Sequence, residues 1–341
     1  MKENRVRTTI AVSALAAAAF FVLNIFCGAV LVAPNEIVAV FTGGDVSETV
    51  RFIVLDSRLP QAVGAVMRGA GLAAAGVMLQ TAFANPLADP SVLGINAGAS
   101  LGVAVALLAL GGGAAVAGVS LSGFVLTVTA AFAGAAVVLL LLTAFAAALR
   151  NRYVLLIAGI MVSYIVSAVI ELLSSMATAE GVHSYVFWGM GNFGGISRTV
   201  LPVFCIVMLL ALVVSLAMAK PLNALLLGDS YAANLGISPR RTRMLLFAVT
   251  GILSAVPTAM CGPVAFIGLA VPHMARFAAH TSDHRTLLPA TMLMGAAVAG
   301  ACNLICNVPG GGVLIPLNVV TSLWGVPVIL CVLFGAARNR L

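Results

Sequence analysis

The chain has 341 residues, 62% of them hydrophobic and only 8% charged, and its mean hydropathy is +1.16. Soluble domains carry about 25% charged residues, so composition excludes a soluble domain and points to an integral membrane protein. The apolar runs are continuous and do not alternate with polar residues as membrane-barrel strands do, which leaves an all-α architecture. The formal charge of +7 does not argue for nucleic acid, because the basic residues are scattered through short segments between spans.

In chain order, MKENRVRTT leads into an apolar run over 8–32. A secretory signal core is roughly 7–15 residues, so a retained first span is expected. Further stretches of membrane-crossing length lie at 59–81, 92–110, 119–148, 153–175, 197–219, 244–262, 264–279, 286–306 and 317–336. About ten transmembrane helices result, the eighth being short and interrupted by Pro272. An even number puts both termini on one side. With the N-terminus inside, thirteen Lys and Arg residues, among them Arg150, Arg240, Arg241 and Arg340, fall on inner segments, against Arg51, Arg58 and Arg198 outside. Both termini are therefore expected in the cytoplasm.

The longest interruptions are 33–58 and 176–196 outside and 220–243 inside. The second has an aromatic centre at Tyr185, Phe187 and Trp188, as expected of a short helix at the membrane interface. Spans two to five begin outside after "RLP", and spans seven to ten begin inside after "RRTR". Each half opens with a Gly/Ala-rich helix and continues into a Pro-interrupted piece, "NPLADPSVLG" or "GLAVPHMARF". Inverted-repeat character of this kind suggests a transporter whose path lies near the repeat interface.

No constellation for catalysis is found. Neither Lys2 nor Lys220 follows a glycine-rich phosphate loop, so the chain does not hydrolyse nucleotide by that route. His273, His280 and His284 lie close in sequence, but Arg276 and Arg285 interleave with them, and helix-terminal histidines in a solvated loop are expected. The six cysteines sit in or beside spans and read as small core residues rather than a metal site. Within "PLNALLLGDSYAANLGISPRRTR" (221–243), a short helix from Asp229 to Leu235 is expected, capped by Gly236 and stopped before Pro239. Such a helix buries little alone, leaving Leu225, Leu226, Leu227 and Leu235 either in an ordinary turn or against another protein.

Several long motifs follow one another: "RLP" at 58–60, "NPLADPSVLGINAGASLG" at 85–102, "AGI" at 158–160, "FWGMGNFGG" at 187–195, "LNALLLGDSYAANLGI" at 222–237, "GPVAFIGLAVPHMARF" at 262–277, "DHRTLLP" at 283–289 and "WGVP" at 324–327. In these, over nearly its whole length, the chain resembles the permease subunit of binding-protein-dependent ABC importers for iron-siderophores, haem and cobalamin (the FecCD type). The resemblance implies a single permease domain over 1–341 in the bacterial inner membrane, surrounded by lipid and paired with a second copy as a homodimer. Two ATP-binding subunits beneath it would carry the ATP and Mg, and a periplasmic or lipid-anchored substrate-binding protein would dock outside. No cofactor or metal is then expected on this chain.

Carried over residue by residue, Leu227, Gly228, Asp229, Ala232, Ala233, Leu235 and Gly236 would couple the permease to its ATPase. Asn85 and Leu87 would narrow the cytoplasmic end of the path, in keeping with the paired Pro86 and Pro90, which forbid a regular helix. Gly159 and Ser163, with Ser167, would put small groups toward the path or serve close helix packing. Arg58 would receive a glutamate of the binding protein. Gln61 stands where the family usually has a second arginine, and Asn303, Asn307 and Leu314 stand where it often has Asp, Arg and Glu, so charge-pair docking would shift to others such as Arg51 or Arg198.

Two intramembrane charges remain, Arg68 and Glu171. Each would cost about 2.5–3.5 kcal/mol unpaired at a bilayer centre. Arg68 is therefore expected to face protein or a wet path, pairing with Glu171 or greeting an anionic ligand.

Overall fold

The computed structural model describes residues 2–91, 94–109, 121–148, 152–307 and 315–338. Arg150, Leu314 and Arg340, singled out above, lie outside the described residues. Within them the chain is helical without strands. The first half comprises α1 (Lys2–Phe26), α2 (Pro34–Thr42), α3 (Glu48–Phe83), α4 (Ile95–Ala109), α5 (Leu121–Ala148), α6 (Arg152–Met176) and the short α7 (Ala179–Gly189). The second comprises α8 (Leu201–Ala217), α9 (Ala219–Leu226), α10 (Asp229–Asn234), α11 (Pro239–Cys261), α12 (Ile267–Ala279), α13 (His284–Asn307) and α14 (Leu317–Arg338).

Each expected span coincides with a helix, but the lengths differ. Among the described residues α1, α3, α5, α6, α11 and α13 are long and apolar enough to cross a membrane, and α8 with α9, bent by 47°, adds a seventh candidate. The others are shorter because the chain breaks. The segment 33–58, expected as a loop, holds α2 and the first turns of α3. Ser47 caps α3 by accepting from Val50 N at 3.3 Å, and Leu59 N–H bonds back five residues to Val54 through a π-type widening.

Helix α3 is the axis of the bundle, with every residue from Arg68 to Phe83 buried. It packs against α13, α11, α12 and α8. Its composition explains how so many neighbours fit. A Cβ added at Gly69 would collide with the backbone of Gly295 in α13, and one at Gly76 with the backbone of Gly268 in α12. In lipid, association rests on such van der Waals contact, since the tails are as apolar as the side chains. Outer faces of α5, α6 and α8 leave Phe132, Leu140, Ile165 and Leu210 exposed, as suits lipid or a second apolar partner.

Two backbone breaks define the ends. Helix α3 stops at Ala84 (φ +46), and the chain runs through Pro86 and Pro90 before Gly94 (φ +82) starts α4. Helix α11 stops at Gly262 (φ +73), and Phe266 (φ +69) starts α12. Because α3 and α11 run in opposite directions, the breaks lie toward opposite ends, in keeping with the inverted-repeat expectation.

Gly76→Ala is expected to destabilise the protein by about 1–3 kcal/mol through overpacking against α12. Gly189→Ala, where an added Cβ meets nothing within 4 Å, serves as the neutral control, both read by thermal unfolding in detergent.

Candidate functional site

One end of the bundle gathers the ends of α3 and α12, the starts of α11 and α13, and the segment α9–α10. The basic residues Lys220, Arg240, Arg241, Arg243, Arg276 and Arg285 belong to these elements. The break after α3 is tightly organised here. Ala84 N donates to Thr81 O at 3.2 Å and Asn85 N to Gln80 O at 3.1 Å, so the left-handed turn satisfies the last carbonyls of α3. The Asn85 side chain accepts from Leu87 N at 2.9 Å, an Asx turn that suits a chain unable to continue as helix through proline. Asp89 is buried and accepts from Ser91 N at 3.1 Å, whereas Leu87 is 44% exposed. Asn85 and Leu87 therefore share one short turn at the mouth of the bundle.

The histidines depart from the expected solvated loop. His280 is exposed, but His273 and His284 are 9% and 1% exposed. The reason is that α12 lies along α3 and the loop after it. His273 Nε2 donates to Pro86 O at 2.8 Å, and His284 Nε2 lies 2.8 Å from Thr81 Oγ1. Arg276 donates to Gln80 Oε1 at 2.6 Å. Asp283, outside the helices, accepts from Arg285 N at 2.9 Å and Asn223 Nδ2 at 2.6 Å. The Arg285 amide above all holds its carboxyl below the usual range. That contribution is complete above about pH 4 and is lost as pH falls through the depressed value.

The 221–243 segment folds as α9, a two-residue link and α10. Gly228 takes φ +104 and Gly236 φ +77, conformations that only glycine adopts freely, so both ends of α10 are set by backbone. Pro239 opens α11 rather than ending α10, with Ser238 as its cap. Leu225 is buried with Ala224, Ala232 and Ile237, which corrects its expected exposure. Leu226, Leu227, Tyr231 and Leu235 remain 49%, 64%, 51% and 57% exposed, and Ala233 and Gly236 lie open beside them. Asp229 is gripped in a fork by Arg243, both contacts at 2.8 Å, which fixes α10 against the start of α11.

At α6, Gly159 and Ser163 lie against Gly94, whose added Cβ would meet Ser163 Oγ at 2.9 Å and Gly159 O at 3.1 Å. Of the two open readings, close packing is what their geometry serves. Ser167 is exposed.

The opposite end gives both arginines partners that the sequence does not suggest. Arg58 is 6% exposed and donates to Ile25 O at 2.9 Å, Phe26 O at 3.0 Å and Val30 O. It closes the C-terminus of α1, where free carbonyls favour a cation, so its guanidinium is taken up by its own chain. Arg68 does not pair with Glu171, which is exposed on α6 with no ion pair among the described residues. Arg68 is wholly buried, donates to Gly262 O, and lies 5.7 Å from the Phe193 ring centre. A charge-assisted bond of about 1.5–3 kcal/mol and a cation–π contact offset part of its burial, while Nε and Nη1 find no hydrogen-bond partner among the described residues. Sequence reasoning missed this partner because a carbonyl freed by a glycine break carries no side-chain signal.

Asn318 secures the same break, accepting from Ala265 N at 3.2 Å and donating to Pro263 O at 3.0 Å. Beside it a cavity of about 280 Å³ is lined by Gln61, Asn192, Asn303 and Asn307 among others. The amides that stand in place of the usual charges thus meet in one uncharged pocket. Among the described residues no three His, Cys, Asp or Glu side chains come together as a metal site. Arg68→Met keeps the bulk and removes the donor to Gly262. It is expected to speed amide exchange at Ala265 and Ile267 about tenfold, measured by hydrogen–deuterium exchange.

Comparison with known proteins agrees with this geometry. Residues 15–335 match the model of the FecCD transport family. The vitamin B12 import system permease protein BtuC of Klebsiella pneumoniae is 34% identical over 290 residues, covering 83% of this chain and 82% of its own. That of Salmonella typhimurium is 34% identical over 281 residues, covering 82% and 83%. A solved metal-chelate type ABC transporter in an inward-facing conformation superposes with a TM-score of 0.81 at 28% identity, covering 98% of this chain and all of its own. A family model matched over residues 15–335 and a fold matched over 98% of the chain leave one assignment: the chain belongs to the FecCD transport family and is a permease of an ABC importer.

Proposed function

We propose that this permease pairs with a second copy to form the path for a bulky metal chelate in the bacterial inner membrane, driven by ATP hydrolysis on two partner subunits. The end bearing α9 and α10 is the cytoplasmic one, with both termini there, and a binding protein delivers cargo at the other end. The observation that carries this reading is the shape of α10. Leu226, Leu227, Tyr231 and Leu235, on α10 and the residues flanking it, project 49–64% exposed beside the Asp229–Arg243 fork, and α10 is too short to cover them itself. A groove in an ATPase would cover them, and closure on nucleotide would move the permease as a body. The basic residues at that end support its cytoplasmic placement. Asn85 and Leu87, on the exposed turn at the same end, are proposed as the gate.

Leu227→Asp and Leu235→Asp are expected to abolish co-purification of the ATPase while leaving the permease's thermal midpoint unchanged. Co-purification at parent levels would sink the assignment of α10.

The cargo we propose is a ferric siderophore. A corrinoid is the second reading, favoured by the vitamin B12 import permeases at 34% identity. Proteoliposomes holding permease, ATPase and cognate binding protein, offered labelled ferric chelate, cobalamin or haem, would separate them, and ATP-dependent uptake of the ferric chelate is expected. Glu171→Gln should leave that uptake within about twofold, since an exposed carboxylate without a partner provides no ion relay. Its abolition would favour ion-coupled transport.

A further inference from the structure

We infer that Asn223, His284 and Thr81 form a hydrogen-bonded junction that carries displacement of the ATPase-facing segment to the gate turn. The inference rests on the proposed roles of α10 and of Asn85 and Leu87, and adds the residues that join them.

The junction begins at Asn223 on α9, six residues before α10 starts. Asn223 Nδ2 donates to Asp283 Oδ1 at 2.6 Å, which orients its amide. Asn223 Oδ1 then accepts from His284 N at 2.9 Å and from His284 Nδ1 at 2.8 Å. An acceptor facing Nδ1 requires the proton there, so neutral His284 presents the Nε2 lone pair to Thr81, 2.8 Å away. The Thr81 hydroxyl, which also lies 2.9 Å from Val77 O in its own helix, shares its one proton between that carbonyl and this lone pair.

Thr81 stands in the last turn of α3. Its carbonyl takes the Ala84 amide, and the preceding carbonyl, of Gln80, takes the Asn85 amide. A shift of Thr81 is thereby a shift of the left-handed turn that aims Asn85 and Leu87. The far side of that turn is pinned independently, Gln80 by Arg276 and Pro86 O by His273.

Burial makes the arrangement informative. His284 and Thr81 are 1% and 6% exposed, beside the apolar cluster to which Leu222 and Leu287 belong. Buried polar groups cost stability unless paired, and apolar side chains would hold α9 to α13 without them. An apolar contact also slides under load, whereas a directional chain either holds or breaks, as a two-state coupling element must.

The test uses the assembled permease–ATPase complex with exposed Cys27 and Cys331 changed to Ser and a spin label at Leu87→Cys. The spectral change between nucleotide-free and ATP–vanadate states is recorded beside ATP hydrolysis. Thr81→Ser should keep the change. Thr81→Val, which cannot donate to His284, should reduce it at least about fivefold while hydrolysis stays within about twofold. Asn223→Ala, on a partly exposed residue, breaks the same chain from the other end and should do likewise. A parent-like spectral change in either variant overturns the junction. So does loss of assembly in both, since the residues would then be structural only. Absence of any nucleotide response in the labelled parent would instead overturn the proposed gate and coupling segment.

Discussion

The close approach of α3 to α12 and α13 is the constraint on which the rest of the molecule depends. Gly69 against Gly295 and Gly76 against Gly268 bring backbones together where no side chain fits. In water the hydrophobic effect would drive such helices together. In lipid only contact and hydrogen bonding do so, and small residues are the means of maximising contact. With α3 wholly surrounded from Arg68 to Phe83, both of its ends become fixed points. One positions Arg68 beneath the break of α11, and the other positions Thr81 and Gln80 above the turn at Asn85.

The breaks themselves follow from the same solvent. A chain in the membrane cannot leave amides and carbonyls unpaired except in protein or in water. Each break accordingly has side chains assigned to it: Arg68 and Asn318 at 262–266, and His273 with Asn85 at 84–87. Ala84 and Phe266 hold positive φ although neither is glycine. That conformation costs about 1–2 kcal/mol per residue and persists because the surrounding contacts determine it.

Much of the fold was legible in the residues. Every apolar stretch became a helix, because membrane helices satisfy their own backbone and need only length and composition. The α10 element was legible to within a residue, since Gly228, Gly236 and Pro239 punctuate it by intrinsic conformational preference. Exposure of Leu227 and Leu235 followed from the same brevity. Leu225 escaped that reasoning, being covered by Ala232 across the turn, a contact that spacing along the chain does not encode.

The residues whose partners the sequence did not reveal share one cause. Arg58, Arg68, His273 and His284 are polar groups whose partners are distant in sequence, and most of those partners are backbone carbonyls or small polar side chains. Nothing in the neighbourhood of Arg68 announces Gly262, 194 positions away, and nothing near Thr81 announces His284. Sequence alone determined that this chain is a helical membrane protein, where its helices run and where the short α10 begins, because these depend on local composition and backbone preference. Only the tertiary structure decided which buried polar group serves which break, because that depends on which helix ends the glycine contacts bring together.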